Sequence, residues 1–149
     1  MEKKKTVRIS RDALEFALEA SKASHPHEFI GMLREEEGII IAILVIPGSI
    51  LGDGFSQLDY WQVPAHSGEC GVLHSHPNGN ALPSQADRNL FTKSGRIHAI
   101  AAYPYTERSI CFYDGNGRKL EFILEIKSQP KQKLRSLLRK LRKEQRKKD

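Results

Sequence analysis

The chain has 149 residues, 39% of them hydrophobic, and a formal net charge of +6. That length supports one domain with a real core, and no apolar run reaches the roughly 18 residues that a membrane helix needs. The charge is uneven: residues 127–149 carry a net +9 and residues 1–126 a net −3, so the basic character belongs to the tail and not to the domain before it.

Met1 to Lys5 starts like the basic region of a secretory leader, but no apolar stretch follows it, so the cytoplasm is the expected compartment. Ser10 to Ser24 reads as the first helix, with Ser10 as N-cap and Leu14, Ala17, Leu18 and Ser21 on one face. His25-Pro26 ends it. Glu28 to Leu33 and Ile39 to Pro47 read as a hairpin whose charged turn ends in Gly38. Residues 48–55 read as loop, Gln57 to Pro64 as another strand, and Ala65 to Glu69 as a second loop. Cys70 to His74 is an apolar run expected to form a buried strand, which Pro77 stops. Asn78-Gly79-Asn80 is turn chemistry. Ser84 to Ser94 reads as the second helix, closed by Gly95. Ile97 to Tyr103, Ser109 to Asp114 and Arg118 to Ile126 read as strands, with Asn116-Gly117 as the tight turn between the last two. Pro130 opens a third helix that runs to about Arg146. Cys70 and Cys111, the only cysteines, lie in apolar strand patterns, and both read as free, buried and not nucleophilic. This order of elements gives a mixed α+β fold: a central mixed, largely antiparallel sheet flanked by helices.

The segment with chemistry in it is His74-Ser75-His76-Pro77 followed by Ser84 and Asp87. Residues i and i+2 of a strand share a face, so His74 and His76 project together. Ser84 as N-cap with Asp87 three residues on makes an acidic capping box, which returns Asp87 toward the strand's end. Two imidazoles and one carboxylate suit a divalent zinc ion, and three protein ligands leave a fourth position open, the mark of a catalytic site. Taken singly, a His-x-His pair on a surface commonly binds nothing, and a Ser-x-x-Asp is commonly only a cap. Their combination within one short segment favours metal-assisted hydrolysis.

His-Ser-His-Pro, six residues, Ser, two residues, Asp resembles the motif of the JAMM metalloproteases, the zinc-dependent branch of the MPN domains. The likeness spans about residues 6–126 and is strongest to small stand-alone prokaryotic members. It implies a cytidine-deaminase-like sheet, one zinc per chain on His74, His76 and Asp87, Glu28 as general base and Ser84 as oxyanion donor. The segment from Ile97 through Tyr103-Pro104-Tyr105 resembles the family's later core strand. The implied activity is isopeptide or peptide cleavage after the C-terminal glycines of a ubiquitin-like modifier. Competing readings are release of an amino acid from a sulfur-carrier C-terminus with the same Gly-Gly tail, or a non-enzymatic MPN-type scaffold or nucleic-acid-binding protein. Ser56 to Val63 and Asn78 to Leu82 are the segments expected to line a substrate groove that takes an extended strand. His25, His27, His66 and His98 read as ordinary surface or core histidines.

Residues 1–126 therefore read as a JAMM metalloprotease domain and residues 127–149 as a basic helical tail outside the resemblance. Leu134, Leu137, Leu138 and Leu141 fall at i, i+3, i+4 and i+7 among Lys and Arg. Such a helix can dock on its own domain or on a second copy, or contact an acidic partner, nucleic acid or a membrane surface.

Overall fold

A computed structural model describes residues 5–45, 68–125 and 130–148. The elements are β1 (Thr6–Ser10), α1 (Arg11–Ser24), β2 (Ile30–Glu36), β3 (Ile39–Leu44), β4 (Glu69–His76), α2 (Gln85–Ser94), β5 (Ile97–Ala102), β6 (Ile110–Asp114), β7 (Lys119–Glu125) and α3 (Pro130–Arg146). The expected strand over Gln57–Pro64, the neighbouring loops, His66 and the groove segment Ser56–Val63 lie outside the described residues.

The seven strands close on themselves in the order β1-β3-β2-β4-β5-β6-β7. The hairpin β2–β3, and the pairs β2–β4, β5–β6 and β6–β7, are antiparallel. The pairs β1–β3, β4–β5 and β1–β7 are parallel. The mixed α+β architecture is as expected, and closure is the added feature. It is carried by β1, a short strand absent from the sequence reading. Its burial alternates at first and then stays inward, with Val7, Ile9 and Ser10 buried. Five residues pair with β7 in unbroken register from Thr6–Glu121 to Ser10–Glu125, whereas Ile9–Ile40 is the single pair with β3.

Local chemistry explains the other elements. Ser10 ends β1 and caps α1, its Oγ accepting the Ala13 N–H at 3.1 Å. Ala13, Leu14, Ala17, Leu18 and Ser21 form the buried face of α1, at the helical spacing read from the sequence. Glu37 and Gly38 between β2 and β3 both have positive φ (51° and 77°), as a two-residue hairpin loop of the primed type requires. All six residues of β5 are buried, which suits a strand covered on both faces and explains why its residues other than His98 are all apolar. This strand stops at Ala102; Tyr103 to Tyr105 form a turn beyond it, with Tyr105 at φ 62°. Cys70 is buried and Cys111 only half-buried, and both are free thiols. Burial pushes the Cys70 thiol up to about 12, which makes it a poor nucleophile.

His98 lies wholly inside and is structural. Its Nδ1 accepts the Val72 N–H at 3.3 Å. Its Nε2 donates to the carbonyls of Phe91 (3.1 Å) and Gly95 (3.0 Å). The ring stacks on Phe91 at a centroid distance of 4.3 Å. Burial pulls its pKa down and outweighs those two carbonyls, so it serves as a neutral link among β4, β5 and α2.

The same junction requires a glycine. A Cβ on Gly71 in β4 would stand 1.5 Å from the Ile97 carbonyl oxygen and 2.6 Å from its carbon. Both obstacles are backbone, so a side chain there forces β4 and the start of β5 apart. Overpacking a well-filled interior costs about 1–3 kcal/mol, and occasionally more where backbone must move. Gly71→Ala is expected to reach or exceed the top of that range, read as a large fall in Tm against wild type. An unchanged Tm would mean that this close approach is not present in solution.

Candidate metal centre

β4 delivers the histidines. It ends at His76, with Pro77 next, so His74 and His76 share the face at its C-terminal end. The structure bears out the second helix and its start: Ser84 caps α2, its Oγ accepting the Asp87 N–H at 3.1 Å, while the Ser84 N–H donates to Asp87 Oδ2 at 2.7 Å. That reciprocal box fixes the Asp87 carboxylate over the strand end. His74 Nε2 then stands 3.0 Å from Asp87 Oδ1, and His76 Nε2 3.2 Å from Asp87 Oδ2. The two Nε2 atoms are 3.1 Å apart.

Among the described residues these three side chains are grouped so that one donor atom from each lies within 4.8 Å of the others. Atoms this close are held together by imidazole protons shared with the carboxylate or by a cation among them. A tetrahedral zinc with bonds of about 2.0–2.1 Å sets its ligand atoms about 3.3 Å apart, a spacing that three donors gathered within 4.8 Å can meet. The environment favours positive charge as well. Burial opposes ionisation of Asp87, but hydrogen bonds from His74 and His76 and from the Ser84 N–H hold its carboxyl well below the usual carboxylate range. Burial likewise opposes protonation of His76, yet the Asp87 carboxylate and the Asn80 carbonyl outweigh it and raise the imidazole's pKa. The donor set therefore fits one zinc ion.

Second contacts orient the ligands. His76 Nδ1 lies 2.6 Å from the Asn80 carbonyl oxygen and donates to it, which turns Nε2 toward Asp87 and His74. Phe91 packs near His74, with ring centroids 6.3 Å apart. His74 is buried, whereas the His76 side chain keeps 12% of its surface, so the donor set is approached from the His76 side.

Glu28 reaches the same site by another route. It precedes β2 and is not part of it, because the strand begins at Ile30. Phe29 is tied to the strand of the histidines: its N–H donates to Ser75 Oγ at 2.7 Å, and the Ser75 N–H donates to the Phe29 carbonyl at 2.9 Å. Ser75 points away from the His74/His76 face, and its wholly buried hydroxyl extends the β2–β4 ladder by one residue. Glu28 is thereby held at the mouth, where it lines a cavity of about 300 Å³ together with His76, Asn78, Ser84 and Asp87. All five site residues expected from the sequence are thus brought together. Ser75 and Asn80, which position them, were not anticipated, although Ser75 lies inside the motif and its period-2 position marks it as facing the opposite side. A larger cavity of about 660 Å³ lies along β6 and β7 and contains none of these side chains.

Of the remaining histidines, His25 Nδ1 pairs with the Tyr105 hydroxyl at 2.7 Å and its ring stacks on Tyr103. It joins the end of α1 to the turn after β5 and takes no part in the donor set.

Residues 10–113 match the family of prokaryotic homologues of the JAB domain. The chain belongs to that family. A probable metalloprotease of Haloferax volcanii is 39% identical to this JAB-domain chain over 112 residues, covering 68% of the chain and 69% of the relative. A JAB1/MPN domain protein from Archaeoglobus fulgidus has a solved structure that superposes with a TM-score of 0.66 at 32% identity, covering 80% of this chain and 98% of that one. A second solved structure, described as a JAMM metalloprotease-like zinc site in the proteasome and signalosome, gives a TM-score of 0.64 at 30% identity over 81% and 99% of the two chains. The JAB-domain match spans β4, the capping box and Glu28 together, and stops short of β7 and α3.

Proposed function

We propose that this JAB-domain protein hydrolyses the peptide or isopeptide bond that follows the C-terminal glycines of a ubiquitin-like modifier, with residues 1–126 as the catalytic unit. The enzyme is a zinc metallopeptidase. The observation that carries the finer reading is the cavity in which Glu28 and Ser84 face the donor set of His74, His76 and Asp87.

The chemistry that zinc supplies in such a site is Lewis acidity, which makes a water acidic enough to attack near neutral pH and polarises the scissile carbonyl. Glu28 accepts the proton as the water oxygen bonds to the carbonyl carbon. It returns that proton to the nitrogen as the carbon–nitrogen bond breaks, so the amine leaves neutral. Ser84 Oγ accepts the Asp87 N–H, which leaves its own hydroxyl proton to donate to the oxyanion. The segment Asn78–Leu82 lies between β4 and α2, and Asn78 borders the cavity beside His76. A glycine tail, which lacks side chains, would let the scissile carbonyl approach His76 and Asp87 closely.

The test is incubation of the zinc-loaded protein with conjugates of the host's own ubiquitin-like proteins, with and without a chelator. Release of the free modifier ending in Gly-Gly, blocked by the chelator, is expected. Metal-dependent cleavage at non-glycine sites, with the conjugates untouched, would replace the substrate reading and keep the peptidase.

Ser84→Ala separates capping from catalysis. Losing the N-cap costs about 1 kcal/mol and lowers Tm modestly. Losing an oxyanion donor lowers kcat by about 10²–10³-fold. Both effects are expected with zinc retained. If kcat of the folded variant matches wild type, Ser84 is a cap alone.

A further inference from the structure

We infer that α3 is a peripheral anchor that lays its leucine face on an anionic lipid surface. Leu137, Leu138 and Leu141 are 54%, 43% and 49% exposed, so the chain's own described residues leave them largely uncovered. At about 100° per residue these three leucines share one face of the helix, with Lys140 and Arg142 about 100° to either side of Leu141. The segment carries a net +9 through residues 127–149, and Glu144 is its one acid before Asp149. Glu144 borders the leucine face and is outnumbered by the cations around it.

The two properties together select the occupant. Nucleic acid would use the cations but would leave the leucines in water. A second copy would cover the leucines but would set one strongly basic helix against another. A lipid surface with anionic headgroups uses both, the leucines entering the acyl boundary while Lys and Arg on the flanks meet phosphate oxygens. The helix lies on such a surface and does not cross it: no helix among the described residues is long and apolar enough to span a membrane. The catalytic unit, which carries a net −3, would then face away from the headgroups.

The test uses the full-length protein and sedimentation with vesicles of mixed phosphatidylglycerol and phosphatidylcholine, against vesicles of phosphatidylcholine alone. Wild type is expected to bind the anionic vesicles at least about tenfold better, with binding that weakens steeply as salt rises. The triple variant Leu137→Ala, Leu138→Ala, Leu141→Ala keeps every charge and favours helix, so a loss of about tenfold or more reports the apolar face. Anionic-vesicle binding that is absent, or equal in the triple variant, overturns the inference. So does a leucine-dependent dimer by light scattering. Duplex DNA or RNA that displaces the vesicles, with an affinity indifferent to the leucines, would assign the tail to nucleic acid instead.

Discussion

Glu28→Gln is expected to leave one zinc per chain in place and to lower kcat by about 10²–10⁴-fold, the range for loss of a general acid–base group. Gln has nearly the same shape and can still hydrogen-bond a water, but it cannot take the proton. Glu28 stands outside the group of donor atoms formed by His74, His76 and Asp87, so metal content and turnover should separate. The Phe29–Ser75 pairing that positions residue 28 is backbone to side chain and survives the substitution. Metal analysis and turnover on the same preparation decide the matter. Near wild-type kcat removes Glu28 from the mechanism, and loss of zinc along with activity makes it a ligand.

The double variant His74→Ala/His76→Ala is expected to lose its zinc and to fall to background turnover. The buried Asp87 carboxylate would then keep only the Ser84 N–H, and stranding a buried charge costs about 3–5 kcal/mol. The variant's fold therefore has to be checked by circular dichroism. Asp87→Asn is the gentler companion, because an amide oxygen can still accept the Ser84 N–H and keep the cap. It removes only the anionic ligand. Zinc affinity should fall by more than the about 10–100-fold typical of an outer-shell partner. Wild-type zinc stoichiometry and affinity in both variants would contradict the ligand assignment.

The centre was legible in the sequence because its geometry is local. His74 and His76 share a face by the period of a strand, and Asp87 is fixed by a cap three residues long. No long-range information is needed to bring those parts close. Helix α1 was legible for the same reason, with Ser10 as cap and a helical apolar face. Glu28 was legible only through the family resemblance, since its place depends on a bond between Phe29 and Ser75, which are 46 residues apart. Strand β1 escaped because five residues in a basic N-terminal stretch carry little pattern. Its value appears only when β7 lies beside it. Closure of the sheet rests on that same distant parallel pairing, which no local period encodes.

Zinc-edge X-ray absorption on the zinc-loaded wild-type protein reads the metal's ligands directly. A four-coordinate shell of nitrogen and oxygen only is expected, at about 2.0–2.1 Å, with the outer-shell scattering of two imidazoles. A sulfur scatterer near about 2.3 Å, or three or more imidazoles, would contradict a centre built from His74, His76 and Asp87.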